Sequence, residues 1–416
     1  MNIWICIAYD PLPRIDSTTR LLRYGTLAQQ LAGAGHSVVF WTSTFDHWRK
    51  QQRFNSDHAE VIDSKFRIEL LHSPGYRRNI SWARVRHNRT LARRFMERAA
   101  SFEKPDIIFA GIPCLELTEA AANYAKFHRV PFNVDIQDIW PEVYVSVLPR
   151  ALRFVGRAAL HSEFARTRRI LRGAQAITAV SQEYLAWARK LRDAPGPNDG
   201  VFHLGYPLPD ESVLASARAR APEFLARFAI PADRILATFL GQFAASYDID
   251  TLIDAARKLD GSPSNVHFVL AGNGDKFARA QRRARGIRSL TLTGWLERND
   301  TITLLQQSHI GLAAYSRRAP QSLPYKPFEY MAHGLPIVCS LRGELKALIT
   351  DHAVGRYYVA GDANSLAEAI QRLAGDANCR GKAGLQARAL FNRQFDASAI
   401  TERLIAHLNR LAGGTN

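Results

Sequence analysis

Along the first 200 residues, short apolar runs alternate with longer segments whose apolar positions recur at helical spacing. Residues 2–8, Asn-Ile-Trp-Ile-Cys-Ile-Ala, form a nearly unbroken apolar run and predict a buried strand. Residues 20–34 carry apolar positions three and four apart and predict a helix. Gly35 closes that helix, and His36 opens the next strand, 37–42. Further strands are expected at 68–71, 107–110, 132–136, 176–180 and near Val201, with helices between most of them. The turn-rich stretch Asp193-Ala-Pro-Gly-Pro-Asn-Asp-Gly200 joins a helix to the last of these strands, and Tyr206-Pro-Leu-Pro-Asp210 reads as a linker. A second series follows, with strands at 235–240, 266–271, 290–293, 310–315 and 337–340, a helix at 250–259 and an amphipathic helix at 398–411. Strands that alternate with helices in this way predict an α/β chain with doubly wound parallel sheets, which bind ligands at the carboxyl ends of their strands.

At 416 residues the chain is too long for one ordinary core, so two domains of about 200 residues are expected. The four cysteines, Cys6, Cys114, Cys339 and Cys379, are scattered, which suits buried free thiols in a reducing compartment better than disulfides or zinc ligands. The N-terminus has no basic segment before its apolar run and reads as a core strand rather than a signal peptide. No apolar run approaches the roughly 20 residues that span a bilayer. A cytoplasmic protein is expected, peripheral at most on the inner face of the membrane.

The net charge of +17 calls for an acidic partner. Arginines crowd two segments. Arg77, Arg78, Arg84, Arg86, Arg89, Arg93, Arg94 and Arg98 share theirs with Tyr76, Trp82 and Phe95, and a second group runs from Arg150 to Arg172. Arginine interleaved with aromatic rings suits an anionic membrane surface. A solvated helix face has the same composition. No nucleic-acid-binding motif accompanies the charge, so no nucleic-acid partner is expected.

The densest chemistry lies in Ser322-Leu-Pro-Tyr-Lys-Pro-Phe-Glu-Tyr-Met-Ala-His-Gly-Leu-Pro-Ile-Val338. A helix opening near Pro327 would carry Glu329 in its first turn, and Gly334 with Pro336 would end it before a strand. A loop, a lysine and a helix N-terminus make an anion site, and a carboxylate in the first turn can accept hydrogen bonds from a vicinal diol. Diphosphate plus ribose fits this arrangement. A surface turn with an ordinary capping glutamate has the same spacing.

This segment resembles the donor-site motif of family-4 glycosyltransferases with the GT-B fold, in particular the pattern P-x-K-x-F-E-Y-M/L-A-x-G-x-P-I/V. The resemblance covers nearly the whole chain. It implies two Rossmann-like domains facing across a cleft, with 1–205 on the acceptor side, 206–390 holding the nucleotide-sugar donor, and 391–416 packing back as a helix on the first domain. It assigns Lys326 to the donor phosphates and Glu329 to the ribose hydroxyls. Where many relatives carry a second glutamate this chain has Gln321, so the Ser322-Leu323 backbone is the candidate to contact the donor sugar. Gly241 and Gln242 open the second domain beside the phosphates. Gly272, Gly274, Trp295 and Tyr315 complete the donor set, with Trp295 either stacking on the nucleobase or packing beneath it.

On the first domain, Val134-Asp-Ile-Gln-Asp-Ile-Trp-Pro-Glu142 resembles the R-D-L-W-P-E loop of transferases that build aminosugar-containing bacterial glycans, with Gln137 in place of the arginine. Asp138 is the catalytic candidate there, or else a cap of the following helix. Arg14 and Asp16, with Arg20, replace the usual glycines of the first strand-to-helix loop. Asp46 and His47 are acceptor-side candidates, able to orient or deprotonate a hydroxyl. Asp248-Ile-Asp250 matches a metal-binding D-x-D pattern but falls at a helix start, where aspartate is a favoured cap. No metal and no cofactor is therefore expected, the nucleotide-sugar being a co-substrate. The expected activity is transfer of a sugar from a UDP- or GDP-sugar, with retention, to a glycan or polyprenyl-diphosphate-linked acceptor. A GT-B nucleotide-sugar epimerase or hydrolase is the alternative enzyme, and a basic membrane- or polysaccharide-binding scaffold the non-catalytic one.

Overall fold

The computed structural model describes residues 1–16, 21–146 and 148–413, and these form two compact units. The first comprises Met1–His203 together with the chain from Thr401 onward, and the second Leu204–Ile400. Arg20 lies outside the described residues.

The first unit contains β1 (Asn2–Cys6), β2 (Ser37–Ser43), β3 (Phe45–Asp46), β4 (Gln51–Gln52), β5 (His58–Val61), β6 (Phe66–Leu71), β7 (Ile107–Ile112), β8 (Phe132–Ile136), β9 (Ala176–Ala179) and β10 (Gly200–Val201). Eight of these make one sheet in the order β10-β9-β8-β7-β1-β2-β6-β5. All its pairings are parallel except that of β5 with β6. The short β3–β4 ribbon stands apart. Trp4 on β1 anchors the core beneath the sheet. Its ring centroid lies 5.1 Å from that of Trp41 and 4.8 Å from that of Tyr124, and all three rings are buried. The chain leaves β1 for β2 on one side and later returns to β7 on the other. The carboxyl end of β1 is thus a switch point, where a crevice opens between diverging loops.

The second unit contains β11 (Ile235–Leu240), β12 (Val266–Ala271), β13 (Leu290–Gly294), β14 (Ile310–Ala313), β15 (Ile337–Cys339) and β16 (Gly355–Tyr357). They form an all-parallel sheet in the order β13-β12-β11-β14-β15-β16, which puts its switch point between β11 and β14. Buried clusters cover both faces of this sheet, as a doubly wound fold requires. The unit runs on to Ile400 rather than ending at 390, because Phe391 and Phe395 belong to its core. The Phe395 ring stacks on Phe328, centroids 4.4 Å apart.

Candidate functional site

In the second unit, the loops at the switch point meet backbone to backbone. Gly241, Gly272 and Gly274 take φ values of 140°, 142° and 147°, which side chains rarely adopt. A Cβ at Gly272 would overlap the Gly241 carbonyl oxygen. The contact is fastened by Gly241 N–H to Ala271 O at 2.9 Å, Phe243 N–H to Asn273 O at 2.9 Å and Gly272 N–H to Gly294 O at 2.7 Å. The bare face of Gly241 is where Lys326 arrives, since a Cβ there would overlap Nζ. The ammonium stands 3.9 Å from the Tyr247 ring centroid and 5.5 Å from that of Phe239. It makes no ion pair or hydrogen bond with any described residue.

Lys326 belongs to the helix Tyr325–Ala332, which starts two residues before Pro327. Pro327 is therefore its third residue, still among the first four, whose N–H groups have no acceptor within a helix. Glu329 is the fifth, beyond the first turn where the spacing had put it. It is half-buried and close enough to contribute to the field at Tyr315 and Tyr330. Gly334, at φ 67°, ends the helix as expected. Tyr330, which the sequence did not single out, pins this helix to the sheet. Its hydroxyl accepts from Leu240 N–H at 3.1 Å and donates to Leu312 C=O at 3.2 Å, on the two strands that flank the switch point. Gly311 makes the room, since a Cβ there would overlap the ring.

The other donor candidates divide. Gln242 is exposed beside Gly241. Trp295 is 64% exposed. Tyr315 is fully buried against Tyr247, so it supports the floor rather than lining the surface. Leu323 is a core residue, and the buried Ser322 hydroxyl donates to Glu344 at 3.3 Å. The buried Oε1 of neighbouring Gln321 has no hydrogen-bond partner among the described residues. Asp248 does stand at a helix start, but its carboxylate accepts from the Thr251 hydroxyl at 2.7 Å and the Gly361 N–H at 2.7 Å. Asp250 pairs with Arg279 at 3.0 Å and Arg283 at 2.8 Å.

In the first unit, two acceptor-side candidates prove structural. Asp16 is buried and holds its own loop, accepting from Leu12 N–H at 2.8 Å and Arg53 Nη2 at 2.7 Å. Asp46 is buried in a turn and accepts from Trp48 N–H at 2.8 Å and Arg49 N–H at 3.0 Å. Both carboxylates are committed within their own loops. Arg14 is exposed and reaches the Val61 carbonyl at 3.3 Å. His47 Nδ1 lies 2.5 Å from the Tyr76 hydroxyl. Burial, reinforced by the Lys50 and Arg84 charges, lowers its pKa to about 3. The imidazole is therefore neutral at pH 7 and a weak base.

Asp138 follows β8 in a loop and caps no helix, and its carboxylate makes no hydrogen bond or ion pair with a described residue. Its side chain reaches solvent, yet the surrounding protein desolvates it enough to raise the carboxyl to about 6, against the opposing pull of Arg84. Asp135, in contrast, is locked inside the unit. Arg23 forks onto it at 2.9 and 3.0 Å, and the Tyr24 and Thr178 hydroxyls donate to it at 3.0 and 2.6 Å.

The arginine-rich segment folds as the helix Trp82–Ala99 and splits by face. Arg86, Arg89 and Arg93 are exposed beside Trp82, which is 87% exposed. Arg84 is on the opposite face, buried with His87, Asn88, Leu91 and Phe95, and so cannot meet a lipid surface. Its spacing to those residues is helical, a signal present in the sequence and masked by the charge. The second group divides similarly. Arg166 and Arg169 pair with Glu119, Arg172 with Asp193 and Arg157 with Glu142, while Arg150 and Arg153 lie near exposed Leu152, Phe154 and Val155. No helix among the described residues is long and apolar enough to cross a membrane.

Comparison with known proteins agrees with this architecture. Residues 234–376 match the family described as Glycosyl transferases group 1. An alpha-D-kanosaminyltransferase from Streptomyces kanamyceticus is 25% identical over 216 residues, 51% of this chain and 55% of that protein, so the likeness spans about half of each. The whole chain superposes on sucrose-phosphate synthase from Thermosynechococcus elongatus, with a TM-score of 0.72 at 17% identity and complete coverage of both chains. An Anabaena protein, HepE, in complex with UDP and glucose matches with a TM-score of 0.66 at 14% identity over 98% of this chain and 99% of that one. The chain thus has the GT-B fold, and residues 234–376 within its second unit match the glycosyl transferases of group 1.

Proposed function

We propose that this protein is a glycosyltransferase that moves a sugar from a nucleoside diphosphate to an acceptor hydroxyl, with retention at the anomeric carbon and without a bound metal ion. The observation that carries the reading is the Lys326 ammonium. It is unpaired among the described residues, seated on a bare glycine at the switch point and within the first turn of a helix. That is an arrangement for a diphosphate, whose charge it would neutralise as the bond to the sugar breaks. Glu329, three residues on, is the group for the ribose diol. The neighbour that holds UDP makes a uridine donor the first to test. In the first unit, Asp138 is the group whose unpaired carboxylate supports a developing cationic centre. Metal independence is supported by the occupied carboxylates of Asp248 and Asp250. The face bearing Trp82, Arg86, Arg89 and Arg93 supports docking on anionic lipid, and with it a lipid-linked acceptor of a bacterial surface glycan.

A panel of UDP- and GDP-sugars, incubated with and without lipid-linked and soluble acceptors and in the presence of EDTA, tests the proposal. Acceptor-dependent release of nucleoside diphosphate that survives the chelator is the expected result. Turnover without an acceptor would assign an epimerase or hydrolase, and no turnover with any donor would leave a scaffold.

A further inference from the structure

At the carboxyl edge of the first unit's sheet, the loops that follow β1, β3, β6 and β8 converge on one side chain, Arg84. The residue is only 7% exposed, yet it makes no ion pair with any described residue. Nη1 donates to the Asn79 carbonyl at 3.0 Å and Nε to the Tyr9 hydroxyl at 3.4 Å. Three rings box the guanidinium, with centroids at 4.7 Å for Trp140, 5.1 Å for Tyr9 and 5.7 Å for Tyr76. A desolvated cation without a counter-ion is costly, and ring stacking offsets only part of that cost. The surroundings add to the positive charge. Lys50 Nζ stands 4.8 Å from the same Tyr76 ring and donates to Asn79 Oδ1 at 2.6 Å, and it also lacks a carboxylate partner among the described residues. Asp138 acts on Arg84 through space without pairing with it, and two other carboxylates nearby are committed elsewhere. Asp46 binds Arg53 at 3.6 Å and two backbone N–H groups, and Glu116 accepts from Asn88 at 3.0 Å. Behind the rings, the buried Nε2 of His87 has no hydrogen-bond partner among the described residues. Two cations with no paired carboxylate among the described residues, at a switch point and walled by aromatic rings, make a place for an anion attached to a flat or apolar body.

We propose that Arg84 and Lys50 form a subsite for the phosphoryl group of the acceptor, with Tyr9, Tyr76 and Trp140 set against the body of the molecule. This rests on the glycosyltransferase reading for the word acceptor, and on the cluster alone for the oxyanion. A sugar phosphate and a prenyl diphosphate present the same phosphoryl oxygens, so the two sources are separated by the probes.

The full chain is titrated calorimetrically with inorganic phosphate, glucose 6-phosphate and geranyl diphosphate, and separately with UDP and GDP. Arg84→Gln, Lys50→Gln and Lys326→Ala are compared, each checked for folding by circular dichroism and thermal unfolding. At least one phosphoryl probe should bind, Arg84→Gln and Lys50→Gln should each weaken it tenfold or more, and any loss from Lys326→Ala should be independent of theirs, because it belongs to the diphosphate site of the second unit. A tighter glucose 6-phosphate isotherm assigns a sugar phosphate, and a tighter geranyl diphosphate isotherm assigns a lipid. The subsite is overturned if none of the three binds the unaltered protein at millimolar concentration, or if Lys50→Gln and a folded Arg84→Gln bind all three as the unaltered protein does. Phosphoryl binding that depends on Arg84 supports the subsite even if neither UDP nor GDP binds, a result that would overturn the donor reading alone.

Discussion

The join between Gly241 and Lys326 invites a double substitution. Gly241→Ala introduces a methyl group where the Lys326 ammonium rests, at a backbone φ of 140°. Two costs follow, and they fall on different quantities. The backbone cost falls on folding, about 1–3 kcal/mol for a side chain held in so sparsely populated a region. The displaced ammonium costs little in folding, because it is the free end of a flexible chain. It costs binding instead. A charge-assisted hydrogen bond to a phosphate is worth roughly 1.5–3 kcal/mol, so UDP affinity should fall by a factor of about 10 to 150. Lys326→Ala should lose a similar amount of binding without the backbone penalty.

The decisive measurement is the double variant. If the glycine acts by making room for the lysine, Gly241→Ala has little left to remove once the ammonium is gone. The two losses in UDP affinity should then be far from additive, with a coupling of at least about 1 kcal/mol. Calorimetry gives the affinities, and thermal unfolding of all four proteins gives the separate stability cost. Additive losses in binding would refute the account. So would unchanged affinity in a folded Lys326→Ala.

Further outcomes are expected. Glu329→Gln keeps shape but removes charge-assisted acceptance, so UDP affinity should weaken by roughly 1.5–3 kcal/mol, read by the same calorimetry, whereas uridine-free diphosphate should bind as before. The Asp138 carboxyl, raised to about 6, is mostly ionised at pH 7 and mostly protonated at pH 5. If the carboxylate is the working form, kcat/KM should fall on acidification with an apparent pKa near 6, and Asp138→Asn should abolish that limb along with most activity. Tyr330→Phe strips a hydrogen-bonded hydroxyl from between Leu240 N–H and Leu312 C=O, leaving both buried groups unpaired, and should destabilise the protein by about 1–3 kcal/mol in chemical denaturation. Replacing exposed Arg86, Arg89 and Arg93 with Gln should release the protein from anionic vesicles at low salt while leaving UDP affinity intact. Failure of the unaltered protein to bind such vesicles would remove the membrane from the proposal.

The residues that were legible in the sequence are those whose environment is set locally or by burial on both sides. The parallel strands are covered on both faces, so they read as apolar runs, and β1, β8, β11 and β12 fall where those runs stand. The edge strand β5, His58–Val61, was missed because it borders solvent and carries no such run. Lys326 and its helix were legible because loop, cation and helix lie within a dozen residues. The start of that helix was misplaced by two residues because proline is tolerated throughout the first turn, not only at its first position.

What escaped reading depends on partners far along the chain. Asp16 and Asp46 looked like free carboxylates in a loop, and Arg53 takes both at once, at 2.7 and 3.6 Å, from the turn beyond them. Arg84 was grouped with its neighbours by charge, although its buried companions His87, Leu91 and Phe95 follow it at helical spacing and place it on the buried face. The same rule separates these two errors. A charge that meets an opposite charge in the fold is structural and silent, as Asp16 is. A charge that is buried and pairs with none, as Arg84, bears a desolvation cost that no ion pair offsets. The second kind is the one that points to a ligand, and only the folded chain reveals which kind a given residue is.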